Sequence, residues 1–120
     1  MTIKITASSS TALAYVLPTS DDALLDDLDE LVAEAALGDG RAVGAIAIAF
    51  GPTLLAEARE ELGTAHAQED ADVLQDLFVR LMEGKLVFPD IRHAALPWLK
   101  RTTRVLARER TRGPHWDLAG

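Results

Sequence analysis

The apolar and polar positions between residues 20 and 112 repeat a helical pattern. Leu24, Leu25, Leu28, Leu31, Val32 and Ala35 recur in steps of three and four, interleaved with Asp21, Asp22, Asp26, Asp27 and Asp29. Such steps place the apolar residues on one face and the carboxylates on the other. Ser20 is positioned to N-cap this first helix, with Asp21 and Asp22 at the positive end of its dipole. "LGDG" at 37–40 stops it, Gly38 falling just past the C-cap. A second helical region opens at Arg41, rich in alanine and isoleucine. Gly51-Pro52 reads as an interruption, with Pro52 starting a fresh turn that continues through Leu54, Leu55, Ala58 and Leu62 to Gly63.

The third helix is expected over 67–83. Val73, Leu74, Leu77, Phe78, Leu81 and Met82 are expected to give it a broad buried face, and Gly84 ends it. "KLVFPDIRHAALP" reads as a loop. The fourth helix starts between Ala94 and Pro97, runs to about Arg112 and is closed by Gly113-Pro114. Residues 1–18 differ: "TIKIT" alternates and "ALAYVL" is apolar, so a β-hairpin and a disordered arm are both compatible with them. A lone hairpin is marginal in water and would have to pack on the domain or on a second copy, giving a homodimer. The expected fold class is therefore all-α, a compact bundle of about four helical segments. An arm covers 1–19, the helical domain 20–112 and a tail 113–120.

At 120 residues the chain suits a single domain. With no cysteine, it has no disulfides, thiolate metal sites or Cys nucleophiles. The opening "MTIKITASSS" lacks the basic and long apolar regions of a signal peptide. No apolar run is expected to reach the length of a membrane span. A cytoplasmic setting, with no membrane partner, is the expectation. Charge changes the picture further. The formal net charge is −7, yet it is unevenly spread. Residues 1–91 hold five Lys/Arg against seventeen Asp/Glu, whereas 92–112 hold seven Lys/Arg against Glu109 alone. The whole field repels nucleic acid, while the local patch attracts it.

The fourth helix carries most of the candidate chemistry. Lys100, Arg104, Arg108 and Arg112 are spaced by four and share one slowly drifting stripe, with Arg101 beside it. Such a stripe fits phosphates; it also fits a solvated helix whose cations complement its own dipole. Trp98, Leu99, Thr102, Val105 and Leu106 are expected on the packed side. Phe88, Ile91, His93 and Trp98 set apolar and aromatic groups near Arg92 and Lys100, an arrangement that stacks on unpaired bases or anchors the loop to the core. On the third helix Asp72, Gln75 and Asp76 share the wet face, with Glu69 one turn earlier. His66, His93 and His115 show no metal-ligand spacing, and there is no phosphate-cradling glycine loop. No catalytic residue, metal or cofactor is expected, and the chain reads as a non-enzyme.

Taken in order, "LGDGRAV", "GPTLLAEAREELG" and "DADVLQDLFVRLMEGKLVFPDIRHAALPWLKRTTRVLARERTR" resemble region 2 of the sigma-70 family, of the extracytoplasmic-function type. The family's Glu-Asp-x-x-Gln-Asp/Glu-x-Phe signature reads here as Ala71-Asp72-Val73-Leu74-Gln75-Asp76-Leu77-Phe78, and its Trp-Leu…Arg run starts at Trp98-Leu99. The likeness covers about residues 24–112. It implies that Asp72, Gln75 and Asp76 dock on the clamp helices of the RNA polymerase core. It further implies that Phe88, Arg92, His93, Trp98, Lys100, Arg101, Arg104, Arg108 and Arg112 contact single-stranded −10 promoter DNA. Ala71 stands where the family has Glu, and Arg104 where its fourth helix usually has Asn. The −35-reading region 4 does not follow, which implies a separate region 4 protein or an anti-sigma factor as partner. The expected function is a stand-alone transcription initiation or regulatory protein. The alternative is a repurposed interaction module, dimeric or regulator-sequestering, without promoter recognition.

Overall fold

The computed structural model describes residues 21–112; the expected arm, hairpin or dimer contact of residues 1–19, the expected cap at Ser20 and the tail 113–120 lie outside the described residues. Four helices follow one another: α1 (Asp21–Ala36), α2 (Gly40–Leu62), α3 (Asp70–Met82) and α4 (Ala95–Arg112), with a single 3-10 turn at Ala67–Glu69 leading into α3. They form an all-α bundle, and no strand occurs among the described residues.

The centre of the bundle is α2. Its buried residues include Ala42, Ile46, Phe50, Leu54, Ala58 and Leu62, each four positions after the last. A four-residue step overshoots a helical turn by about 40°, so this line winds roughly 200° around the axis over five steps. One helix can thereby present apolar surface to three neighbours, and α2 packs against α1, α3 and α4. Leu28, Val32 and Ala35 of α1, Val73, Leu77 and Leu81 of α3, and Leu99 and Leu106 of α4 close the core around it.

The expected break at Gly51-Pro52 is corrected: α2 runs unbroken through Pro52. Proline removes one amide donor and crowds the carbonyl four residues back, which belongs to Ile48. Ile48 is 54% exposed, so water is at hand for that carbonyl, while Phe50, Gly51 and Leu54 are buried around the proline and hold both halves in the core. The continuous helix is also long and apolar enough, by length and composition, to cross a bilayer. Its winding apolar line is occupied by the other three helices, as in the core helix of a bundle.

The helix ends follow local chemistry. Asp39 caps α2, its Oδ1 accepting the Arg41 amide at 2.9 Å. Gly84 takes φ 71° after α3, where the Lys85 amide returns to the Arg80 carbonyl at 3.0 Å. A residue with a Cβ is disfavoured in that left-handed turn. The packed side of α4 is rotated from the expected one. Thr103 and Ala107 are buried, whereas Val105 is 41% exposed. Thr103 tolerates burial because its hydroxyl donates to the Leu99 carbonyl at 2.7 Å.

Candidate functional site: the wet face of α3 and the cation stripe of α4

Two surfaces carry the residues singled out by sequence. On α3 the buried Val73, Leu74, Leu77 and Leu81 turn Asp72, Gln75 and Asp76 outward, while Met82 at the last turn, expected on the buried face, is 37% exposed. These three, with Val79 and Arg110, line an open depression of about 520 Å³. Asp76 is held by Arg80 at 2.9 Å, an i,i+4 pair, and Arg80 also approaches Glu109 at 3.6 Å. Asp72 accepts from Arg110 Nη2 at 3.2 Å, while Arg110 Nε donates to Glu69 at 2.9 Å. Sequence reading had passed over Arg110; it spans from α4 to the start of α3. Gln75 is exposed between the two carboxylates.

The loop before α4 is fastened to α1. Arg92 makes a two-pronged contact with Asp26, at 2.9 and 3.0 Å, and His93 Nε2 lies 2.8 Å from the same carboxylate. Asp29, one turn along α1, accepts the His93 amide at 2.6 Å and the Ala95 amide at 3.2 Å. These are donors at the start of α4, so that helix is capped by a carboxylate from α1. His93 takes φ 65°, and Asp29 and Asp26 pin both its backbone and its ring there. Sequence reading had assigned Asp26 and Asp29 to a solvated face. Phe88 and Trp98 meet edge to face, ring centres 5.3 Å apart. Trp98 is only 7% exposed, so its ring belongs to the core.

The α4 stripe meets carboxylates of α2. Arg104 Nε lies 2.5 Å from Glu57, and its Nη2 lies 3.7 Å from Glu60. Arg108 Nε lies 3.0 Å from Glu61, and Lys100 Nζ lies 4.0 Å from Glu57. Arg112 is exposed. Arg101 is exposed and makes no ion pair among the described residues. The signal for these partners was present: Glu57 and Glu61 repeat the four-residue step of Arg104 and Arg108. Among the described residues no group of three or more His, Asp or Glu side chains is placed to hold a metal.

These pairs shift the groups they join. The hydrogen bond from Arg92 holds Asp26 below its usual carboxyl range, and Asp26 in turn raises Arg92. Arg108 lowers Glu61, Glu57 raises Arg104, and His66 followed by Arg110 lowers Glu69. A lowered carboxylate adds stability that is present above its unfolded pKa and fades as pH falls through its folded one. Carboxyl-carbon NMR should therefore place the Asp26, Glu61 and Glu69 midpoints below the ordinary values of 3.8 for an aspartate and 4.5 for a glutamate. In Arg108→Ala the Glu61 midpoint should return toward the ordinary value; an unmoved midpoint would refute the pairing.

No protein-family model matches the chain, and neither does any curated protein or solved structure.

Proposed function

We propose that the chain is a sigma region 2-like regulator of transcription that docks on the clamp helices of RNA polymerase and contacts −10 promoter DNA. One observation carries the reading. The three signature side chains Asp72, Gln75 and Asp76 emerge together around an open depression, while the apolar half of the same signature is core. The carboxylates suit cations on a partner helix, and Gln75 can both donate and accept a hydrogen bond there. The loop and α4, adjacent in sequence and rich in cations, supply the surface for DNA.

Titration of the full chain with a clamp-helix fragment of the polymerase core tests this. Binding is expected at about micromolar Kd, and Asp72→Arg with Asp76→Arg should weaken it about tenfold through like-charge contact. No binding by the unaltered chain at such concentrations sinks the proposal.

A second reading, an interaction module without promoter recognition, is favoured by a different observation. Arg104 and Arg108 already face Glu57 and Glu61, and Trp98 is buried. It predicts clamp or regulator binding with no measurable affinity for single-stranded −10 sequence at any salt concentration.

A further inference from the structure

Helices α2 and α4 run side by side in the same direction. Arg104 meets Glu57, and one turn later on both helices Arg108 meets Glu61. Glu60 flanks Arg104 at 3.7 Å, and Lys100 reaches Glu57 from the preceding turn at 4.0 Å. Three cations of the stripe thus face α2 carboxylates, but not in a sealed site. The Arg104 and Arg108 side chains are each 47% exposed, although their partners Glu57 and Glu61 are only 15% and 28% exposed. Ion pairs standing in water are weak, screened by salt and readily exchanged.

A carboxylate and a phosphate offer a guanidinium the same kind of acceptor, two oxygens in one plane. In the free protein the α2 carboxylates hold the places that backbone phosphates would take. We propose that Glu57, Glu60 and Glu61 are an internal competitor for phosphate, so that the α4 stripe takes single-stranded nucleic acid only where phosphates displace them. This rests on the nucleic-acid half of the proposed function. Arg101, exposed beside the stripe and without an ion pair among the described residues, is the first contact for an incoming strand. With a net charge of −7 the chain gathers few polyanions by itself. Displacement becomes favourable when another body holds the strand against α4 and raises its local concentration. The three glutamates set how strongly the stripe binds and confine binding to that setting.

The test compares the full chain with Glu57→Gln/Glu61→Gln, using a labelled A/T-rich DNA strand of about 20 nucleotides at about 50 and about 200 mM salt. Removing two like charges beside the phosphates should tighten binding about tenfold at the lower salt and steepen the log–log salt slope by about 1.4. Adding Arg104→Ala and Arg108→Ala together should abolish the gain. The single variant Glu60→Gln, at a side chain 77% exposed, leaves the core untouched and should give a smaller gain of about twofold. Far-ultraviolet circular dichroism of each variant checks that the bundle is intact. Equal affinity of the unaltered chain and both glutamine variants, including no binding by any of them, overturns the inference. So does a gain that survives both alanine changes. Clamp-fragment binding, measured on the same proteins, separates the two claims. Clamp binding without the DNA gain retains the docking and ends the competitor; the DNA gain without clamp binding does the reverse.

Discussion

Leu54→Ala should destabilise the domain by about 3–4 kcal/mol, the range for a buried leucine whose surroundings cannot collapse into the space left behind. Leu54 is fully buried on the helix that touches all three others, two residues after Pro52. Packing from several sides restrains relaxation there, and the proline fixes the preceding turn. With a domain stability of roughly 5–15 kcal/mol, such a loss is a large share of the total. Melting should shift down by about 15 °C. Ile48→Ala, at a site 54% exposed on the same helix, should stay within about 0.5 kcal/mol. Similar losses at both positions would show that the line wound around α2 is not the core.

Asp29→Ala should cost about 2 kcal/mol, more than a typical surface carboxylate. The side chain accepts two backbone amides, from His93 and Ala95, at the start of α4. Loss of a cap costs about 0.5–2 kcal/mol, and a hydrogen bond to a charged acceptor about 1.5–3 kcal/mol. The substitution also releases His93 from its positive-φ conformation, so the loop before α4 loses one of its two attachments to α1. The midpoint of urea unfolding should fall with an unchanged slope, and amide exchange should quicken in the first turn of α4. Asp29→Asn keeps an acceptor without the charge and should recover part of the loss. Glu30→Ala, next to it and exposed, should change little. An Asp29→Ala protein as stable as the parent would mean that water replaces the carboxylate.

The elements were legible where one helix carried its own signal. Periodicity placed Leu28, Val32, Val73, Leu77, Leu81 and Leu99 in the core, and the glycines after α1 and α3 marked their ends. Pro52 misled because a local rule was applied without its tertiary context. Proline weakens a helix by removing one bond, and packing at Phe50, Gly51 and Leu54 outweighs that in place. On α4 the apolar letters favoured Val105, but orientation is decided by the whole turn, and Thr103 with Ala107 went inward. The outward side chains of α3 were legible from the same periodicity that buried its other half. Long-range pairing left only a faint signal, the four-residue step that Glu57 and Glu61 share with Arg104 and Arg108. Arg104 and Glu57 are 47 residues apart, as are Arg108 and Glu61, and Arg92 and Asp26 are 66 apart. Each charge read alone as solvated; only the packing of the helices gives it a partner.

The regular spacing between α2 and α4 has a consequence for their register. Glutamates four apart face cations at 100, 104, 108 and 112, also four apart. Sliding α4 by four residues, about 6 Å along the axis, would put Lys100 or Arg108 opposite Glu57 and Arg104 or Arg112 opposite Glu61. The charges would find new partners of the same sign, so electrostatics alone scarcely distinguishes the three alignments. The choice among them falls to groups that do not repeat: Leu99, Thr103 and Leu106 in the core, and the Asp29 carboxylate fixed to the amides at the head of α4. The core holds α4 against α2, the ion pairs line the seam, and the cap with the core decides where along α2 it stops.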